Sequence, residues 1–263
     1  MSLGAIVHAA LPSLHGRLLV RRLARDAIAR GEPEFRRLPQ LCRAGALMLD
    51  VGANRGVYSY LARRHGMRVV ALEPNPALAQ FIRLWSSGSV RVVEAAASNQ
   101  SGIAHLVIPV MAGRELDGLA SLAPSHGTVP GRSLTVRTVR LDDLLAQEPE
   151  LQDVALMKID VEGHELEVLE GARRLLETCR PTLIVEAEER HRRGTVESVR
   201  RLLEGYGYRG LFYWEGAYRP IGEFSADRHQ DAGRVRPDGV CTGDYANNFL
   251  YLPERSGLAP GPC

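Results

Sequence analysis

The stretch Met48-Leu49-Asp50-Val51-Gly52-Ala53-Asn54-Arg55-Gly56-Val57-Tyr58 decides the fold. Apolar residues lead to an acid, two glycines frame a short turn, and a helical pattern runs on from Val57 to Arg64. Strand, tight turn and helix in that order open the nucleotide site of a doubly wound α/β sheet. The glycines follow Asp-x-Gly-x-x-x-Gly, without the third glycine of a dinucleotide site. Asp50, just before the turn, would repel a pyrophosphate and favours a ligand with positive charge and no phosphates. S-adenosylmethionine (SAM), with an ammonium and a sulfonium, has that character. Asp50, Gly52, Ala53, Asn54 and Gly56, with Tyr58 on the helix, are therefore candidate cofactor contacts.

Met67 to Leu72 reads as the next buried strand, ending in Glu73-Pro74-Asn75. Glu73 lies 21 positions after Gly52. An acid at about that distance, at the end of the second strand, accepts hydrogen bonds from ribose hydroxyls. Pro74 and Asn75 flank it. Further on, Ala95-Ala96-Ala97-Ser98-Asn99 places small residues at the end of a third strand. A flat adenine fits against Ala97, with Ser98 or Asn99 reading its edge. Singly, Asp50 reads as a turn cap, Glu73 as a solvated strand end and the alanines as a close-packed turn. The joint spacing favours a nucleoside site.

A second dense motif is Leu156-Met157-Lys158-Ile159-Asp160-Val161-Glu162-Gly163-His164-Glu165. With Asp50-Val51-Gly52-Ala53-Asn54-x-Gly56 and Glu73-Pro74, it resembles the signature of the FkbM family of SAM-dependent methyltransferases. The similarity runs on through Leu169-Glu170-Gly171-Ala172, Glu186, Gly207-Tyr208 and Asn248-Phe249, roughly residues 45 to 252. The resemblance implies a class I methyltransferase fold, Rossmann-like and doubly wound. It also implies O-methylation, often of sugars or natural-product hydroxyls, with S-adenosylhomocysteine (SAH) as product.

Methyl transfer to oxygen requires the acceptor oxygen, the methyl carbon and the sulfur nearly in line. An alcohol must also lose a proton as it attacks, which calls for a base. Candidates converge after the fourth strand: Asp160, which is also expected to contact the cofactor, Glu162 and His164, with Glu186 facing them from the fifth. His164 has the best ordinary pKa for the task, although a histidine at a helix start is also a common surface or capping residue. Lys158 tunes or neutralises the acids. The sequence leaves open whether Asp160 and Glu186 hold Mg²⁺ as hard oxygen ligands. No His/Cys cluster suggests zinc.

The 263 residues suffice for one domain with a sizeable core. Apolar content of 45% and charged content of 24% are those of a globular protein, and a net charge of +2 argues against a nucleic-acid partner. Four scattered cysteines form no C-x-x-C pair, which fits a reducing cytoplasm. No apolar run approaches the ~20 residues of a membrane span, and no signal peptide is evident.

Residues 1–44 are expected as a helical extension acting as a lid or interface, with Leu14, Leu18, Leu19, Leu23 and Ile28 on its packed face. Residues 45–255 form the catalytic domain, closed by an antiparallel hairpin of Leu211–Trp214 and Asn248–Leu252. His164 to Glu177 reads as one helix with Leu166, Leu169 and Leu175 inward. Two insertions, 112–131 and 215–246, cap an acceptor, a small molecule or glycan, through Ser121, Glu186, Arg228, His229 and Tyr245. The tail 256–263 reads as disordered. A homodimer is compatible with this picture.

Three other readings are weaker. A nicotinamide oxidoreductase lacks its glycine turn. A nucleic-acid or N-methyltransferase lacks its Pro-Cys or Asn/Asp-Pro-Pro-aromatic motif. A non-catalytic SAM-binding module would not need the acids after strand four.

Overall fold

The computed structural model describes residues 12–30, 33–122, 130–236, 241 and 244–254. The expected 256–263 tail lies outside them, as do parts of both insertions.

The chain opens with helices α1 (Pro12–Arg30) and α2 (Pro33–Leu41) and then alternates strands and helices. β1 (Leu47–Val51), α3 (Val57–Arg64), β2 (Arg68–Leu72), α4 (Pro76–Ser86) and β3 (Arg91–Val93) follow in order. A side sheet comes next: β4 (Ala96–Ala97), β5 (Gly102–Met111), β6 (Arg114–Glu115) and β7 (Gly131–Val139). Then come α5 (Leu141–Gln147), β8 (Val154–Ile159), α6 (Glu165–Glu170), α7 (Arg173–Thr178), β9 (Thr182–Glu186) and α8 (Thr195–Gly205). The chain ends with β10 (Tyr208–Trp214), β11 (Ala217–Pro220), α9 (Ala226–His229) and β12 (Asn248–Pro253).

The main sheet has the order β11-β10-β12-β9-β8-β1-β2-β3. β3, β2, β1, β8 and β9 are parallel, and β12 enters antiparallel between β9 and β10. This is the expected doubly wound class I architecture. The chain winds outward from β1 to β3 and then crosses to β8 on the other side, so the switch point lies between β1 and β8. Ligands bind at such a crevice, beyond the carboxyl ends of the strands.

Both sheet faces are covered, so β1 is buried along its whole length and is apolar except for Asp50. Leu47, Leu49, Met157, Ile159 and Val185 pack with α5 to α8, and Met48, Leu156 and Ile184 pack with α1 to α4. No described helix is long and apolar enough to cross a membrane.

Three expectations need correction. α1 packs through Val20, Ala24 and Ala27, while Leu14, Leu18 and Ile28 are 43%, 53% and 42% exposed. Its small face lets the backbone come close: a Cβ on Gly16 would lie 3.1 Å from Trp85 Cβ, and Arg17 Nε donates to Trp85 O at 3.0 Å. This seats α1 behind α3 and α4 rather than as a lid.

The helix expected over 164–177 is two, α6 and α7, broken at Gly171-Ala172. The break brings Gly171 against the end of β4, where a Cβ would lie 2.1 Å from Ser98 O. Leu166 is only half-buried and Val168 takes its inward place.

The β10 and β12 strands do pair antiparallel, but the tight hairpin is β10 to β11. Its two turn residues, Glu215 and Gly216, have φ of 49° and 86°, as the twist-matched two-residue turn requires.

Candidate functional site

The β1–α3 turn is built from left-handed residues. Gly52, Asn54 and Gly56 have φ of 77°, 50° and 75°. Gly52 admits no side chain, because a Cβ would lie 1.8 Å from Asp160 O. Asp160 N in turn donates to Val51 O at 3.0 Å, so the ends of β1 and β8 are locked together. Gly56 abuts Trp85, whose Nε1 donates to Arg55 O at 3.2 Å.

Against this corner lies a cavity of about 620 Å³, its open mouth included. Its polar wall is Gly52, Asn54, Glu73, Pro74, Asp117, Asp160, Glu162 and His164, and its apolar wall is Ala95, Ala96, Ala97, Leu106, Ala120 and Leu122. Glu73 Oε2 accepts from Asn54 N at 2.7 Å and Oε1 from Asn75 N at 2.8 Å. Each carboxylate oxygen thus uses one lone pair on the backbone and keeps another for a ligand hydroxyl. Burial pushes this carboxyl up to about 7, against those two amides. A buried carboxylate aimed into a cavity, opposite a flat wall of alanines, fits an adenosine: Glu73 for the ribose, Ala95 to Ala97 with Leu106 and Leu122 for the base. The residues present therefore fit SAM.

Six of the expected cofactor contacts line this cavity: Gly52, Asn54, Glu73, Pro74, Ala97 and Asp160. The other six are not among its lining residues. Asp50 is committed elsewhere: its Oδ2 accepts from Ser59 N at 3.0 Å and Ser59 Oγ at 2.5 Å. It satisfies the first turn of α3 and meets the positive end of that helix's dipole. Tyr58 packs on Phe35, with ring centroids 4.6 Å apart, and its face lies 5.1 Å from Lys158 Nζ. Asn75 caps α4 by accepting from Ala77 N. Ala53 and Gly56 form the turn behind the wall, and Ser98 Oγ pairs with His164 Nε2 at 2.9 Å.

The described part of the 112–131 insertion closes over this same cavity. Asp117 accepts from Arg55 at 3.0 Å and from Asn75 Nδ2 at 3.4 Å, which pins the segment over the turn. Ser121, expected at the acceptor, donates instead to the backbone oxygen of Glu162 at 2.6 Å.

The acids form a second array along the ends of β8 and β9. Lys158 is fully buried, and its Nζ lies 3.5 Å from Asp160 Oδ2, 3.5 Å from Glu186 Oε2 and 3.0 Å from Asn248 Oδ1. Burial works against its charge, but Asp160, Glu186, Glu34 and Asp50 outweigh it and hold the ammonium above the ordinary lysine range. Burial raises Asp160 to about 7, helped by Glu186 and opposed by Lys158. Burial raises Glu186 to about 7 as well, again opposed by Lys158. The Lys158 ammonium lies 3.5 Å from a carboxylate oxygen of each and ties the two acids into one array.

The Mg²⁺ reading does not fit this donor set. The cation on which Asp160 and Glu186 converge is the lysine ammonium, and among the described residues no group of three metal-binding side chains assembles.

Glu162 pairs with His191, Oε2 to Nε2 at 2.9 Å. His191 also lies 3.7 Å from Glu188, which accepts both arms of Arg190 at 2.7 Å and the Tyr245 hydroxyl at 2.6 Å. Glu162 and Glu188 outweigh burial and raise His191 to about 10. Burial would raise Glu188, yet His191 and Arg190 bring it down to about 2. Sequence reasoning missed this cluster. Its signal was the charged run Glu186-Ala187-Glu188-Glu189-Arg190-His191 directly after a buried strand.

His164 lines the cavity, but both ring nitrogens are engaged: Nε2 on Ser98, and Nδ1 3.6 Å from Glu167. Burial holds its pKa below the usual value.

The 215–246 insertion is not the expected set of hydroxyl-binding groups. His229 is 3% exposed, takes the Ser225 amide on Nδ1 at 2.9 Å and packs among Phe212, Trp214 and Phe224. Arg228 points outward and pairs with Glu215 at 3.6 Å. Gln230 ties the segment to Ala187 O and Ala246 O at 2.7 and 2.8 Å. The insertion braces the sheet edge. Of its expected acceptor groups only Tyr245 stands near the acids.

A family model described as Methyltransferase FkbM domain matches residues 50–209. The chain is 30% identical to the hexuronic acid methyltransferase AglP of Haloferax volcanii over 158 residues, 57% of this chain and 59% of that protein. It is 28% identical to Methyltransferase 1 of Beauveria bassiana over 144 residues, 48% of this chain and 58% of that protein. The chain thus spans under two thirds of the length of each. Among solved structures, a methyltransferase FkbM from Methylobacillus flagellatus superposes with a TM-score of 0.46 at 15% identity, covering 95% of this chain and 60% of that one.

Proposed function

The chain belongs to the FkbM methyltransferase family, and on that premise we propose that it methylates a hydroxyl of a sugar, glycoside or related natural product. When bound, SAM supplies an electrophilic methyl group on a sulfonium. The observation that carries the reading is the acid array of Asp160 and Glu186 on the Lys158 ammonium, with Asp160 lining the cofactor cavity. Oxygen acceptors need such a base: an alcohol's pKa lies far above neutrality, so the proton must leave as the new bond forms. Asp160, with its pKa near 7, is matched to that task at physiological pH.

Lys158 keeps one positive charge beneath the pair, which steadies the developing negative charge on the acceptor oxygen. Glu73 and the Gly52–Asn54 turn hold the cofactor, and the pinned Asp117 segment keeps water out of that side. The sugar preference is supported by the hexuronic acid methyltransferase, whose matched region is 30% identical.

The test is transfer of a radiolabelled methyl group from SAM to a panel of glycosides, uronides and polyketide hydroxyls. Incorporation into an ether oxygen is expected. Incorporation only into amines or nucleic acid would contradict the proposal.

A further inference from the structure

The loop after β8 sets Asp160, Glu162 and His164 on the wall of the cofactor cavity. Its backbone is left-handed where it carries a long side chain: Glu162 has φ of 54°, and Gly163 follows at 100°. A left-handed glutamate is strained and persists only where its neighbours impose it. Ser121 Oγ donates to Glu162 O at 2.6 Å, and Gly163 N donates to Glu165 Oε1 at 2.9 Å. His191 closes the remaining side. A Cβ on Gly163 would lie 2.9 Å from His191 Cβ, and His191 Nε2 lies 2.9 Å from Glu162 Oε2.

One oxygen of Glu162 is thus held from behind. The side chain is 13% exposed, and Oε1 makes no hydrogen bond among the described residues. The other carboxylates on the cavity wall are engaged. Glu73 takes two backbone amides and faces the ribose, Asp117 takes Arg55 and Asn75, and Asp160 stands on Lys158. Charge points the same way. At the ends of β8 and β9 the carboxylates of Asp160, Glu162, Glu186 and Glu188 surround the cations Lys158, His191 and Arg190, with Glu165 buried beside them. The acids outnumber the cations, and the cavity's lining residues include no lysine or arginine. Such a wall attracts a positive group, and a carboxylate oxygen without a partner marks where it goes. With the ribose on Glu73 and the base on Ala95 to Ala97, the chain leaving the ribose has the wall of Gly52, Asp160, Val161 and Glu162 to follow. In SAM and SAH alike, that chain ends in an amino acid with its ammonium.

We propose that Glu162 Oε1 accepts the ammonium of the cofactor's amino-acid end, and that His191 is a positioning residue acting through Glu162. His191 lies between Glu162 and Glu188 and keeps the Glu162 carboxylate turned to the cavity, while Arg190 and Tyr245 fix Glu188. A carboxylate bridging two cations, one on each oxygen, makes charge-assisted hydrogen bonds to both. The proposal rests on the SAM-dependent reading above and adds the group that recognises the half of the cofactor beyond the nucleoside. It gives Glu162 a part in binding and leaves proton removal to Asp160.

Calorimetric titration of SAH and of its deaminated analogue, the thioether of adenosine with butyric acid, tests it. The analogue keeps the adenosine, the sulfur and the carboxylate and lacks only the ammonium. The wild type is expected to bind SAH at least ~10-fold tighter than the analogue, the scale of one charge-assisted hydrogen bond. Glu162→Gln should weaken SAH by ~10-fold and leave the analogue within about threefold of its wild-type affinity. His191→Gln should act in the same selective way, weakening SAH by roughly threefold or more and the analogue hardly at all. Equal losses for the two ligands in Glu162→Gln or His191→Gln would mark a merely structural role and overturn the proposal. An ammonium-selective loss in Asp160→Asn but not in Glu162→Gln overturns it as well. A wild type that binds SAH and the analogue equally overturns it without any variant, so the test stands even if a substitution disturbs the loop. That outcome would leave the cofactor reading in place, whereas no SAH binding by the wild type would refute both.

Discussion

Lys158 and its two carboxylates show how single residues set the chemistry. A lone buried ammonium would lose its proton, and two lone buried carboxylates would each gain one. With the ammonium 3.5 Å from each carboxylate, the lysine stays charged and the acids titrate at about 7. A base acts when deprotonated. The methyl-transfer rate should therefore rise with pH up to about 7 and level off above it, as a kcat/KM profile would show. Asp160→Asn keeps the shape and removes the base. It should cost at least ~10²-fold in kcat, the lower end of general-base effects, and abolish that rise. A rate within a few-fold of wild type would move the base to another residue. Some of these residues were legible in the sequence and some were not. Glu73 and Asp160 each end a strand beside the turn, so their spacing reveals them. Asp117 and His191 arrive from loops 44 and 118 residues past Glu73, and no local pattern says where such loops fold back.

Elements follow the same division. β1, α3, β2, α4 and β8 were readable because a buried parallel strand is an apolar run and its helix has a 3.6-residue stripe. α1 misled because its longest apolar side chains face outward. Its packing face is Gly16, Val20, Ala24 and Ala27, chosen for closeness rather than hydrophobicity. His229 misled in another way: a polar residue in a segment read as hydroxyl-binding packs as an aromatic core member. The α6/α7 break was hidden because Gly171 is needed for contact with Ser98, which is 73 positions away. Gly171→Ala must drive a methyl group into that carbonyl. It should cost ~2 kcal/mol or more, toward the upper end of overpacking. Thermal unfolding should drop by several degrees, whereas Gly222→Ala, with open space around it, should change little. Equal melting temperatures would mean that the two helices meet β4 less closely than described.

At the scale of the whole molecule, the chain concentrates buried acid on one sheet edge. Glu73, Asp160, Glu165 and Glu186 are each raised by burial to about 7. Between their ordinary values and 7, the folded state holds protons that the unfolded chain has released. Stability contributed by these groups is full below about 4, where both states are protonated, and is lost as pH rises through 7. His191, raised to about 10, adds to the same trend above neutrality. The cofactor-free protein should therefore melt at a higher temperature at pH 5 than at pH 8. A rise in melting temperature from pH 5 to pH 8 would show that these carboxyls are solvated in solution. That acid cost marks a site built for a partner, and the partner on which the account depends is SAM, held by Glu73. Calorimetric titration of SAH into the wild type and into Glu73→Gln tests this most directly. Saturable one-to-one binding is expected for the wild type, with affinity ~10- to 100-fold weaker in Glu73→Gln, the range for losing a charged hydrogen-bond acceptor. No binding by the wild type, or equal affinities in the two proteins, would contradict it.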